Sequence, residues 1–172
     1  MRIISGKYKG RKLEGFLIDG TRPTMDRVKE SIFGSIQGYI KNSIVLDLFS
    51  GSGSLGLEAI SNGADKAYLI DNNDIAISTI KRNSKDIDNV NIIKSDYKEY
   101  LENTNLKYDL IFLDPPYDLC LINECLEIIK NRQLLNNNGL IICEYEKEVI
   151  NKIFEVKSQK KYGKTKVIIF KG

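Results

Sequence analysis

Histidine is absent from the chain. That excludes imidazole general bases, Ser-His-Asp triads and histidine metal ligands. Any chemistry must run on carboxylates, hydroxyls, lysines, backbone groups or a cofactor, and no metal is required. Cysteine is scarce: Cys120, Cys125 and Cys143 are odd in number, with no C-x-x-C spacing. A disulfide framework is not expected, and a reducing compartment fits, with the thiols as small residues in or near the core. No apolar run approaches the ~20 residues of a membrane span. The first residues lack the apolar stretch of a signal peptide. Repeats and low-complexity tracts are missing too. The expectation is a cytoplasmic protein with no membrane partner.

What is present is ordinary in bulk and uneven in detail. A chain of 172 residues suits one domain. Such a chain buries about 70% of its unfolded surface, so a sizeable core needs no staples. Apolar residues make up 42% and charged residues 28%, the usual soluble balance. The net charge is +3, but residues 1–43 carry +5, residues 44–146 carry −8 and residues 147–172 carry +6. Basic ends attract polyanions, of which nucleic acid is the common one. For the C-terminal segment a solvated lysine-rich surface explains the charge equally well.

Residues 2–5 and 11–18 read as two short strands joined by the loop 6–10. Arg2, Lys7, Lys9, Arg11 and Lys12 crowd this element around Tyr8. Basic groups beside an aromatic ring hold phosphate and stack on bases. Residues 1–20 are thus expected as a basic β-hairpin appendage to one domain spanning 21–172. Thr24 is a good N-cap, and Asp26 falls in the first turn of the helix that follows. Val28, Ile32, Ile36 and Ile40 recur every four residues, so 25–39 should be an amphipathic helix offering Arg27 and Lys29 on its opposite face.

From residue 44 onward strand and helix alternate. Strands are expected at 44–49, 67–71, 90–93, 108–113 and 140–143, with helices at 53–62, 73–84, 96–103 and 119–131. Short strands separated by helices imply a doubly wound, mostly parallel α/β sheet with right-handed crossovers. Strands at 152–158 and 165–170 would close it with an antiparallel C-terminal hairpin, giving seven strands in all.

Gly51-Ser52-Gly53-Ser54-Leu55-Gly56 matches G-x-G-x-x-G between a strand and a helix, and Asp71 ends the next strand 20 residues after Gly51. That context marks a nucleoside-binding turn. Gly51 and Gly53 let backbone approach a ligand, and Asp71 can accept hydrogen bonds from both ribose hydroxyls. The motif fits a dinucleotide such as NAD or S-adenosylmethionine. Three features favour the latter. Asp47 stands just ahead of the turn, where it would repel a pyrophosphate. The central segment is acidic, which suits a sulfonium cation. And no second, catalytic domain of a dehydrogenase fits in the length. Phe49, Asn72, Ser95 and Asp96 complete this candidate cofactor set, with Asp96 placed either to accept from an adenine amino group or to start the next helix. Arg22 and Thr24 could hold the methionine carboxylate or an RNA phosphate.

Asp114-Pro115-Pro116-Tyr117 follows the apolar strand 108–113. Two prolines cannot continue a strand or open a helix normally. They stiffen a loop at the strand's C-terminal end, where open α/β sheets place ligands. The loop offers a carboxylate, a ring and unpaired carbonyls, which are the partners a flat amine-bearing ring requires.

Together these residues resemble Rossmann-like S-adenosylmethionine-dependent methyltransferases, and DPPY resembles the motif of the branch that methylates exocyclic or amide nitrogens. Arg2-Ile3-Ile4-Ser5-Gly6, Gly10-Arg11-Lys12-Leu13, Arg22-Pro23-Thr24 and Asp26-Arg27-Val28-Lys29-Glu30-Ser31-Ile32-Phe33 narrow the likeness to the bacterial small-subunit (16S) ribosomal RNA guanine-N2 methyltransferase family, RsmD. The resemblance implies methyl transfer to N2 of one guanine, with Asp114, Pro115 and Tyr117 as catalytic residues. It implies ribosomal RNA, within an assembling or assembled small subunit, as partner of a monomeric enzyme. Arg2, Lys7, Lys9, Arg11, Lys12, Arg22 and Arg27 are the expected RNA contacts. An amino-methyltransferase acting on adenine or protein glutamine, a nicotinamide-dependent enzyme and a non-catalytic RNA-binding module remain as alternatives.

Overall fold

The computed structural model describes residues 1–15 and 26–172. Arg22, Thr24 and the stretch of the second N-terminal strand beyond residue 15 lie outside the described residues. The alternation folds into one seven-stranded sheet of order β3-β2-β1-β4-β5-β7-β6. β1 (Ile44–Asp47), β2 (Lys66–Asp71), β3 (Val90–Lys94), β4 (Tyr108–Leu113) and β5 (Leu135–Tyr145) are parallel. β6 (Glu155–Tyr162) and β7 (Thr165–Lys171) form the antiparallel hairpin. The chain moves outward from β1 to β3, then crosses back to lay β4 on the other side of β1.

Helices α1 (Asp26–Ile40), α2 (Ser54–Ser61) and α3 (Asp74–Asn83) cover one face, and α4 (Tyr97–Asn103) and α5 (Ile122–Asn131) the other. Strand β4 shows why its run is almost wholly apolar. Leu110 and Phe112 enter the core with Ile32, Ile36 and Leu57, while Ile111 and Leu113 enter the core with Leu126 and Ile129. A strand covered on both faces cannot alternate with polar residues.

Several boundaries differ from the sequence expectation: β1 ends at Asp47 rather than 49, β6 runs over Glu155–Tyr162 rather than 152–158, and two others differ for local reasons. The helix expected from 119 begins at Ile122, because Tyr117–Leu119 form a 3-10 turn and Cys120 takes a left-handed φ of 49°. Cys120 is also exposed, whereas Cys125 and Cys143 are buried as expected. Strand β5 starts at Leu135 rather than 140, since Leu135 already pairs with Tyr108 before a register shift. Its asparagines and glycine had the composition of a turn.

The first fifteen residues differ more. Instead of two strands they make one isolated bridge, Arg2 to Lys12. They also lie lengthwise along α2. The Ser52 hydroxyl donates to the Met1 sulfur (3.2 Å), the Ile4 and Ser5 N–H groups donate to the Glu58 carboxylate (2.9 Å each), and the Lys7 N–H donates to the Ser61 carbonyl (2.7 Å). At Gly6, with φ +78°, a Cβ would sit 1.9 Å from that carbonyl. Ile3 and Leu13 are buried in the same core as α1 and α2. The segment expected as an appendage therefore shares its core with the rest of the chain.

Lys29 corrects the reading of α1. It is fully buried rather than part of a basic outer face. Its Nζ lies 3.2 Å from Glu58 Oε2 and donates to the Arg2 carbonyl (2.6 Å) and Ser54 Oγ (3.0 Å). The buried face of α1 includes Lys29 and Phe33 beside Val28 and Ile32, so it is wider than the four-residue repeat suggests. Glu58, in turn, accepts from Ser5 Oγ and Asn62 Nδ2 as well as from the N-terminal backbone. Removing one member of such a pair leaves a buried charge unpaired, at about 3–5 kcal/mol. Lys29→Ala should therefore lower the urea unfolding free energy by about that amount, while Arg27→Ala, on the exposed face, should stay within about 0.5 kcal/mol. Equal effects of the two would show that the pair does not anchor the segment.

Candidate active site at the sheet's switch point

The C-terminal ends of β1, β2, β3 and β4 lie along one edge of the sheet, each followed by a loop with a predicted site residue. Strand β1 ends in Asp47, whose carboxylate turns inward. It is 2% exposed and accepts the Gly56 N–H (2.9 Å) from the first turns of α2. Burial pushes this carboxyl up to about 7, the Gly56 bond pulling the other way and the Asp71 charge adding to the rise. Asp47 thus differs from the expected ligand-facing anion: it braces the glycine turn from below, and near neutral pH it is only partly charged. Its repulsion of a pyrophosphate is correspondingly weaker.

The turn itself is as the motif demands. Gly51 and Gly53 take φ of 55° and 78°, and the Ser50 hydroxyl donates to the Asp47 carbonyl (2.6 Å). A Cβ at Gly53 would meet Leu69 Cδ2 at 2.9 Å. Gly53 therefore answers to packing against β2 as well as to any ligand. Asp71 closes the turn across the strand gap: its Oδ2 accepts the Gly51 N–H and its Oδ1 the Asn73 N–H, both at 2.9 Å. Each oxygen has a second lone pair for a hydroxyl. Asp71 is half-buried and Asn72 exposed, both at the C-terminal end of β2.

Past β3, Asp96 caps α4, accepting from the Lys98 (2.9 Å) and Glu99 (3.3 Å) N–H groups. Ser95 donates to the Asp96 carbonyl (3.0 Å). Phe49 packs against Tyr97, ring centroids 5.4 Å apart, and Tyr97 donates to Glu124 Oε2 (2.7 Å). Tyr97 was not foreseen. The signal was available, as an aromatic residue directly after the predicted Ser95-Asp96.

Beyond β4, Asp114 is half-buried, Pro115 buried and Tyr117 half-buried. The Tyr117 hydroxyl donates to Glu144 Oε1 (2.7 Å), and the Thr165 hydroxyl lies beside the Tyr117 hydroxyl. Burial and the charges of Asp114 and Glu144 raise the Tyr117 phenol well above its ordinary range, so it stays protonated. Glu144 is 3% exposed at the end of β5. It fixes the ring of Tyr117 and was missed because it falls one residue past the predicted strand.

The described basic candidates are not all at this edge. Arg2 pairs with Asp26 (3.3 Å), beside the start of α1. Arg11 donates to the Lys85 carbonyl, and Lys7 lies over the Tyr8 ring (5.1 Å). Because the segment runs down α2 from Ser52 to Ser61, Lys7 and Lys9 sit a helix length, ~12 Å, from the glycine turn. Lys12 and Arg27 are exposed.

A glycine turn facing a proline-stiffened acidic loop across the reversal in strand order places the fold in the Rossmann-like class of nucleoside-binding α/β domains. The chain belongs to the family described as Conserved hypothetical protein 95, whose model matches residues 1–171. It is 40% identical over 149 residues to the ribosomal RNA small subunit methyltransferase D of Buchnera aphidicola subsp. Acyrthosiphon pisum, covering 85% of this chain and 78% of that one. Identity to the protein of that name from Escherichia coli strain K12 is 33% over 150 residues, covering 86% and 76%. The solved structure of Escherichia coli yhhF superimposes with a TM-score of 0.88 at 29% identity, covering 99% and 97%.

Asp47 supplies a pH test. Its folded pKa of about 7 exceeds the ordinary 3.8. Its contribution to stability is therefore complete below about pH 4 and declines as pH rises through about 7. Asp47→Asn keeps an acceptor for Gly56 and loses this dependence. Urea midpoints should show the variant gaining on the wild type between about pH 5 and about pH 8, and a constant difference across that range would contradict the burial argument.

Proposed function

We propose that the chain transfers a methyl group from S-adenosylmethionine to the exocyclic N2 of a guanine in small-subunit (16S) ribosomal RNA. The observation that carries this reading is the adjacency of the glycine turn and the Asp114–Tyr117 loop at the β1–β4 switch point, in a chain most of whose length resembles small-subunit ribosomal RNA methyltransferases. The donor set fits the cofactor. Asp71, held by the Gly51 and Asn73 N–H groups, offers carboxylate lone pairs to ribose hydroxyls. Phe49 and Tyr97 offer an apolar wall for a purine. The acidic rim suits a cation better than a pyrophosphate. When bound, S-adenosylmethionine supplies the methyl group on a cationic sulfur.

The chain's own residues would do the rest. Guanine N2 is a poor nucleophile because its lone pair is delocalised into the ring. Asp114 and the Pro115 carbonyl accept its two N–H bonds, which holds the amino group in place and favours the positive charge that develops on nitrogen. Tyr117, its hydroxyl tied to Glu144, presents a fixed face for stacking, worth ~1–3 kcal/mol. Positioning can supply ~7–11 kcal/mol more. The base must leave its stack, or start unstacked, to enter the crevice. The proton on N2 becomes acidic once the new bond forms, and the Asp114 carboxylate or water takes it. Arg2, Lys7, Lys9, Arg11, Lys12, Arg22 and Arg27 are the candidate RNA contacts, and the substrate is ribosomal RNA within a subunit particle in the cytoplasm, taken up by a monomer.

Tritiated methyl groups offered with naked DNA, free ribosomal RNA and small subunits should pass to ribosomal RNA, alone or assembled. Transfer to DNA or protein only would overturn the substrate assignment. Asp114→Ala should cut kcat by roughly 10²-fold or more, and near-normal turnover would remove Asp114 from the mechanism. Asp71→Ala should weaken S-adenosylmethionine binding by ~1.5–3 kcal/mol. Unchanged affinity by calorimetry would make Asp71 a brace of the turn alone.

A further inference from the structure

The residues expected to hold RNA are concentrated in the N-terminal segment, yet its tip points away from the site. A second basic cluster lies at the site's own edge. Strand β7 pairs antiparallel with β5, Lys166 opposite Tyr145, and β6 pairs with β7, Lys161 opposite Lys166 and Tyr162 opposite Thr165. Cys143, two residues before Tyr145, pairs with Leu113, which directly precedes Asp114. The β6–β7 turn therefore projects from the same edge of the sheet as the Asp114–Tyr117 loop. At ~4.8 Å between strands, Lys166 lies two strands (~10 Å) and Lys161 three strands (~14 Å) from β4. Thr165, at the foot of the turn, flanks the Tyr117 hydroxyl, so turn and loop are in contact.

Four lysines, 160, 161, 164 and 166, fall within seven residues here. Lys161 and Lys164 are exposed. Lys160 donates to Ser35 Oγ (3.0 Å), and Lys166 lies over the Tyr145 ring (5.6 Å). Among the described residues none of the four pairs with a carboxylate. Lysines on an edge strand also discourage pairing between copies. That role would be served anywhere along β6, whereas these gather at the end beside the site. Next to them Tyr162 and Ser31 share a hydrogen bond that ties the turn to α1.

We infer that the β6–β7 turn is a second RNA-binding surface, on which Lys160, Lys161 and Lys164 hold backbone phosphates on the flank of the crevice opposite the N-terminal segment. This rests on the RNA-methylating function proposed above. A basic flank on either side of an acidic crevice would pin the strand while leaving one base free to enter.

Filter binding of ribosomal RNA across ~50–200 mM salt tests it, comparing wild type, Lys161→Ala/Lys164→Ala, Lys161→Glu/Lys164→Glu and the control Lys107→Ala, exposed just before β4. The alanine pair should raise the RNA Kd on the order of tenfold near 0.1 M salt and flatten the log–log salt slope by roughly 1.4. The glutamate pair should weaken binding further. KM for RNA should rise with kcat and S-adenosylmethionine affinity held, and the control should match wild type. If wild type binds ribosomal RNA and both pairs bind it with unchanged Kd and slope, the lysines are a solvated edge and the inference fails. Should wild type neither bind nor methylate ribosomal RNA, the proposed function falls and this surface with it.

Discussion

Everything at the site depends on one topological constraint, the reversal of strand order between β1 and β4. Parallel strands need long crossovers, and right-handed crossovers send successive connections to one face until the order turns back. At that point two neighbouring loops part, and a crevice opens between them. The loop leaving β1 is the glycine turn, and the loop leaving β4 carries Asp114 and Tyr117. Neither has a strained, isolated site of its own. Their chemistry comes from being one strand apart.

Buried polar groups then hold each loop in shape. Asp47 and Asp71 accept N–H groups from opposite sides of the glycine turn. Glu144 holds Tyr117. The Lys29–Glu58 pair joins α1, α2 and the N-terminal segment, with Lys29 also reaching Ser54 at the end of the turn. Charges taken from water are costly unless fully partnered, and Lys29 and Glu58 each have several hydrogen bonds beside their own contact. Through Lys29 the first residues are joined to Ser54 at the end of the glycine turn.

Much of this was legible in the chain because several signals agreed. The apolar runs of β1, β2 and β4, the glycine turn with Asp71 behind it, and the Pro-Pro loop all follow from backbone sterics and periodicity. What escaped depends on tertiary partners. Lys29 reads as surface in a four-residue repeat; only Glu58, set in the otherwise apolar run of α2 and in need of a buried cation, hinted otherwise. The described N-terminal residues have strand character, but they find their hydrogen-bond partners on α2, at Glu58 and Ser61, and dock along that helix with a single bridge. Glu144 looks like the frayed end of a strand until Tyr117 is seen beside it. The β6–β7 lysines could be counted but not placed, because the direction of an antiparallel hairpin relative to the site follows from pairing with β5.

The most direct test is a crystal structure of the chain with S-adenosylhomocysteine and guanosine. The account predicts the ligand's ribose on Asp71, its sulfur facing the Asp114–Tyr117 loop, and guanine between them with N2 on Asp114, ~3–3.5 Å from where the methyl would sit. A sulfur turned away from that loop, or too far from it for a single base to bridge, would contradict it.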